Sequence, residues 1–150
     1  MEVNPMENEK KIKLLQTVYA AALADSALRM GREGVLGKIT EEKRAEQMAT
    51  GANRATQFGV ATTEEVFSKL SDIFACADWQ TERNGREVSA LATRCMLCAL
   101  AKRMGAPSPC RIYCLDPMEG MVKGLQPGAS FTAEETLYDG TKCRVTVTEP

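Results

Sequence analysis

ASFTAEETLYDGTKCRVTVT, residues 129–148, is the stretch on which the fold turns. Apolar and polar residues alternate on both sides of Tyr138-Asp139-Gly140, the pattern of two half-buried strands joined as a hairpin. Its register decides which side chains enter the core. A two-residue Asp139-Gly140 turn sets Phe131, Ala133 and Leu137 on the face opposite to Cys143, Val145 and Val147. A three-residue loop, with Gly140 in the left-handed bulge position, gathers all six on one face, and the pattern favours this register. It lays Glu135 on that apolar face directly across from Cys143, where a carboxylate needs a partner. Glu134 then meets Arg144 on the outer face as an exposed pair worth little.

Upstream, WQTERNGREVSALAT, residues 79–93, predicts a second hairpin around Asn84-Gly85, with Trp79, Thr81, Val88, Ala90 and Ala92 on one face. The remaining segments carry helical spacing. Ile12, Leu15, Tyr19, Ala22, Leu23 and Ala27 mark a helix over Glu9–Met30, and the glycines from Gly31 to Ile39 mark a loop. Thr40, followed by Glu41 and Glu42, reads as the cap of a polar, alanine-rich helix to about Phe58 with a broad wet face. Thr62 and Glu65 form a capping box that opens a helix to about Cys76. Thr93 caps Arg94–Met104, stopped by Gly105. Asp116-Pro117-Met118-Glu119 opens a last helix that ends near Gly124. The expectation is an α+β fold: a helical N-terminal half packed on an antiparallel sheet of about four strands made of two hairpins, with short helices between. One domain over residues 9–150 follows a flexible leader at 1–8.

Composition narrows the chemistry. The chain has 150 residues, six cysteines and no histidine, at a formal charge of −1. Without histidine the commonest general base and metal ligand are both missing. The near-neutral charge gives no electrostatic case for nucleic acid, and no apolar run is long enough for a membrane helix. No signal-peptide pattern opens the chain, so a cytoplasmic location with reduced thiols is expected. The glycines between 31 and 37 follow a helix rather than a strand, which argues against a phosphate cradle.

Five cysteines are bunched as Cys95-x2-Cys98, Cys110-x3-Cys114 and Cys143. Cys95 and Cys98 share a face at the first turn of a helix, and Cys114 stands two residues before the Asp116 cap. Unpaired N–H groups at both places favour thiolate. Cys76, at a helix end, reads as packing, since free cysteine often behaves as a small apolar residue. The other five support three readings: a thiol nucleophile, a metal site, or core. As catalytic residues the leading set is Cys114 with Asp116 beside it and Cys98. As ligands for zinc or an iron–sulfur cluster the set is Cys95, Cys98, Cys110, Cys114, Glu135 and Cys143. A sensor or carrier holding a small molecule needs no base and suits a chain without histidine. The alanine-rich second helix offers a seam for a homodimer.

From Cys95 to Val147 the spacing resembles a known family. Gly105-Ala106-Pro107 leads into Cys110-x3-Cys114, Asp116 and Pro127; Phe131, Glu135 and Thr136-Leu137 precede Gly140-x2-Cys143-Arg144-Val145. This resembles the L-2-amino-thiazoline-4-carboxylic acid hydrolase-like family, which pairs a helical N-terminal half with a closing hairpin that ends on a cysteine. The family's aromatic after that cysteine is replaced here by Arg144-Val145. A wider resemblance is to the 4-vinyl reductase small-molecule-binding domain. There Cys143 matches the last zinc ligand, but Glu135 stands where a cysteine would, and Thr132 where a carboxylate would. The first resemblance implies hydrolytic opening of a small sulfur and nitrogen heterocycle, by a thiolate or by an ion-activated water.

Overall fold

The computed structural model describes residues 5–150. Of the leader expected at 1–8, residues 1–4 lie outside the described residues, and helix α1 (Pro5–Arg32) already includes the rest. It is followed by α2 (Leu36–Phe58), α3 (Thr63–Phe74), β1 (Gln80–Asn84), β2 (Glu87–Ala92), α4 (Met96–Met104), a π-helical turn (Arg111–Leu115), α5 (Asp116–Leu125), β3 (Ser130–Glu135) and β4 (Cys143–Thr148). The fold is α+β, with one antiparallel sheet in the order β1-β2-β4-β3. Among the described residues no helix is long and apolar enough to cross a membrane.

The two hairpins set one buried face. Val88, Ala90 and Ala92 of β2 alternate with exposed neighbours, and Cys143, Val145 and Val147 of β4 alternate with exposed or half-buried ones. The first hairpin turns one residue later than expected. Asn84 pairs with Glu87, so Gly85-Arg86 forms the turn, with Gly85 at φ +63°. Moving the turn one position shifts partners by two, which keeps every side chain on its face. In the second hairpin Phe131 pairs with Val147 and Ala133 with Val145, the three-residue-loop register. A bulge after Ala133 then sets Glu135 opposite Arg144 instead of Cys143. Glu134 accepts from the hydroxyl of Thr146 rather than meeting Arg144.

Glu135 therefore does not enter the core. Its carboxylate accepts from the N–H groups of Thr141 (2.8 Å) and Lys142 (3.2 Å), which hold it below the usual range. Gly140, expected left-handed, does not have positive φ. A Cβ there would lie 2.4 Å from the Glu135 carboxylate, so close approach rather than backbone conformation favours the glycine.

Two helical expectations also change. The loop over Gly31–Ile39 shrinks to Glu33–Val35, because Gly34 alone (φ +72°) reverses the chain. Thr40 lies inside α2 and donates to the Leu36 carbonyl (2.7 Å) instead of capping. Asp116 is not a cap either: its φ and ψ are −65° and −41°, continuing the π-helical turn into α5. Pro117 has no N–H for the carbonyl four residues back, and a widened turn just before it accommodates the missing bond. Thr62 caps α3 as expected, its Oγ1 accepting from the Glu65 N–H (3.2 Å), but the Glu65 carboxylate accepts from the Ala61 N–H (3.2 Å) rather than closing the box on Thr62.

The wet helix α2 hides one narrow stripe. Gly51 and Ala55 are buried on it, and a Cβ on Gly51 would lie 1.9 Å from the Gly120 carbonyl oxygen of α5. The two backbones nearly touch. Much of the small-residue face offered for a dimer seam is thus taken up within the chain. Arg44 of α2 closes the crossing with hydrogen bonds to Asp116 (2.9 Å) and Glu119 (2.9 and 3.0 Å).

Candidate functional site

All six cysteines line one cavity of about 250 Å³, enclosed by α1, α2, α3, α4, the π-helical turn and the sheet. Cys76 is among them, and it also packs against the small core cluster of Ala24, Leu97, Ala101 and Ala106, as its reading as packing expected. Ala75 takes a left-handed φ of 52° after α3, and the next residues run beside the start of α4. The Cys76 carbonyl accepts from the Met96 N–H (2.8 Å), and Ala77 bridges Cys95. Asp78 pins the same junction by accepting from the N–H groups of Thr93 (2.8 Å) and Arg94 (2.9 Å), which lowers its carboxyl to about 2.

The cap of α4 is Cys95, not Thr93, and its Sγ accepts from the Cys98 N–H at 3.4 Å. One turn inward, Cys98 Sγ lies 3.4 Å from Cys110 Sγ at the start of the π-helical turn. These three thiols share protons unequally. Cys98 is pushed up by its contact with Cys110, by the nearby Cys95 and by burial, which favours its S–H form. Cys110 is lowered to about 7 by that contact, with help from the hydroxyls of Ser108 and Thr136 against its burial. Cys95 is lowered too, by Cys98, whose backbone N–H its Sγ accepts.

The other thiols run in the opposite direction. Burial, then the neighbouring thiols, raises Cys114 well above the usual value. Burial lifts Cys143 and Cys76 to about 11 each, although Cys143 Sγ accepts from the Leu137 N–H (3.2 Å). Asp116, expected to assist Cys114, does not line the cavity. It is 2% exposed and paired with Arg44 and, at 3.6 Å, with Arg111. Burial raises its carboxyl against these arginines. Proximity in sequence had placed it at the thiols; the helical turn points it at α2.

The expected metal ligands do not assemble. Among the described residues no three or more of the histidine, cysteine and acidic side chains are grouped to hold a metal ion. Glu135 is committed to the Thr141-Lys142 loop. No step is therefore routed through zinc or an iron–sulfur cluster.

The same cavity carries a polar strip that sequence reading missed. Lys43, Gln47 and Arg54 of α2 all line the cavity. Gln47 is 5% exposed, and its Oε1 is buried with no hydrogen-bond partner. Among the described residues neither Lys43 nor Arg54 forms a salt bridge. The spacing of 43, 47 and 54 lies along one helical face, so the signal was present. A polar helix gave no cue as to which polar face turned inward. Tyr19 and Phe58 flank Phe74 in a stacked and an edge contact, and all three line the cavity. No aspartate or glutamate lines it among the described residues.

The arrangement supplies a thiol with a lowered pKa, a second thiol 3.4 Å from it, two cations outside any salt bridge among the described residues, and an unsatisfied amide oxygen. A family model described as L-2-amino-thiazoline-4-carboxylic acid hydrolase matches residues 7–146. The match reaches far beyond the last third of the chain, into α1 and α2. No curated protein and no solved structure matches the chain significantly.

Proposed function

Since the chain belongs to the L-2-amino-thiazoline-4-carboxylic acid hydrolase family, we propose that its thiol-lined cavity opens a small sulfur and nitrogen heterocycle by hydrolysis. The observation that carries this reading is that Cys110 and Cys98 line the same cavity as Lys43, Gln47 and Arg54. A ring of this class bears an electrophilic carbon between two heteroatoms, and the α2 strip is suited to its polar substituents. The cations pair a carboxylate and Gln47 Oε1 accepts from an N–H, which offsets the cost of the unpartnered amide.

In this reading Cys110 replaces Cys114 as the nucleophile. Its thiolate adds to the ring carbon, a C–S bond forms, and one ring bond to a heteroatom breaks. Cys98 S–H, 3.4 Å from Cys110, is the nearest proton source for the leaving atom. Water then takes the place of Cys110 at that carbon and returns the thiol, so the product contains one water more than the substrate. The test is incubation with L-2-amino-thiazoline-4-carboxylate, with mass detection of the hydrated, ring-opened product. Cys110→Ser abolishing turnover and Arg54→Gln raising KM support the reading; unchanged turnover in Cys110→Ser overturns it.

A second reading has its own support. Among the described residues no carboxylate lines the cavity, and the chain has no histidine, so the site lacks an ordinary base to activate water. A binding domain that holds such a heterocycle without turnover needs none. Saturable binding by calorimetry with no product would favour it.

A further inference from the structure

We propose that Cys98 and Cys110 form a reversible disulfide when a hydroperoxide enters the cavity, making this pair an oxidative modification site that silences the pocket. The inference rests in part on the hydrolase reading, because the silencing would remove the proposed nucleophile. Bridge formation itself does not depend on that reading.

Three observations carry it. The two sulfurs stand 3.4 Å apart, so a bond of about 2 Å needs a closure of roughly 1.4 Å, within reach of two χ1 adjustments. Cys98 lies in α4 and Cys110 caps the π-helical turn, and the two are joined by residues 105–109 rather than by one rigid helix. Both side chains are nearly buried from the outer surface, yet both line the cavity, which gives a small oxidant a route. Cys110 also has the thiolate character such a reaction requires.

The steps balance. Cys110 thiolate attacks one peroxide oxygen; an S–O bond forms, the O–O bond breaks, and the leaving alkoxide or hydroxide takes up a proton. Cys110 is now a sulfenic acid, oxidised by two electrons, and the peroxide has been reduced to an alcohol or water. Cys98 Sγ then attacks Cys110 Sγ as it gives up its proton. The S–S bond forms, the S–O bond breaks, and hydroxide leaves with that proton as water. A dithiol reductant reverses the bridge. Cys95, Cys114 and Cys143 have no such partner relation: Cys95 Sγ is met by a backbone N–H, as is Cys143 Sγ.

The experiment treats the full chain with stoichiometric hydrogen peroxide, then alkylates and maps peptides without reduction. The expected result is a species lighter by two hydrogens, with one cross-link joining the Cys98 and Cys110 peptides, removed by dithiothreitol. In Cys98→Ser the cross-link is absent and Cys110 is trapped by dimedone as sulfenic acid. A cross-link between Cys95 and Cys98, or direct passage of wild-type Cys110 to sulfinic acid, overturns the proposal. Heterocycle binding or turnover is followed in parallel. If the bridge forms where no turnover exists, the hydrolase reading fails and the modification site stands. If the bridge forms and binding and turnover are unaffected, the silencing is overturned.

Discussion

Replacing Gly51 by alanine tests the helix crossing that holds the cavity's polar wall in place. In an exposed helix interior such a change stabilises, since alanine exceeds glycine in helix propensity by about 1 kcal/mol. Here the added Cβ would sit 1.9 Å from the Gly120 oxygen and 2.3 Å from its carbon, both backbone atoms that no rotamer change can move. The helices must part by roughly 1 Å, a gap that forfeits a quarter to a half of each dispersion contact along the crossing. Overpacking of this kind costs about 1–3 kcal/mol, and the separation also stretches Arg44 from Asp116 and Glu119. Together these costs outweigh the propensity gain, so Gly51→Ala is expected to lose about 1–2 kcal/mol, or roughly 2–8 °C in Tm for a chain of this size. Gly37 is the internal control. It lies in the same helix, and a Cβ added there would meet nothing within 4 Å, so Gly37→Ala should gain about 0.5–1 kcal/mol. Urea unfolding of both variants, with unchanged m-values, supplies the comparison. Equal or greater stability of Gly51→Ala would refute the close crossing and the placement of Lys43, Gln47 and Arg54 that depends on it.

Other outcomes follow from the same geometry. Brief alkylation of the native protein should label Cys110 first, with a rate that rises with pH and reaches half its plateau near pH 7; peptide mapping that finds Cys114 first would contradict the proton sharing. Cys98→Ala removes the S–H donor and should move that midpoint up toward the ordinary thiol value. Arg44→Met leaves Asp116 and Glu119 buried without their shared cation and should cost about 3 kcal/mol, measured by urea unfolding at neutral pH. Asp78 is lowered from 3.8 to about 2, so its contribution is full above pH 3.8 and is lost as pH falls through about 2. Asp78→Asn should accordingly flatten the acid limb of the stability curve over that window, and an unaltered limb would deny Asp78 its role at the α4 junction.

The elements and their faces were legible in the order of residues. Alternation in residues 129–148 selected the three-residue-loop register, and Val88, Ala90, Cys143, Val145 and Val147 are buried together as it required. Parity explains why even the misplaced first turn did no harm: a one-residue turn shift preserves every strand face. Thr62 fixed the start of α3 because its cap bond from the Glu65 N–H is made by neighbours in the chain. Such signals are local, so one sequence carries them in full.

The chemistry was settled by packing between elements. Whether Asp116 faces the thiols or Arg44 depends on how Pro117 and the π-helical turn rotate α5, which no spacing encodes. The bulge after Ala133 turned Glu135 from the core to its own loop. Cys76, read as isolated, reaches the cavity because Ala75 reverses the chain beside α4. The inward strip of α2 emerged only when Gly51 docked on Gly120, which fixed the helix's rotation. Cys110 is lowered while Cys114 is raised, because a contact at 3.4 Å and burial act on the two thiols in opposite directions. Both are set by contacts between segments remote in sequence, not by the order of residues within any one of them.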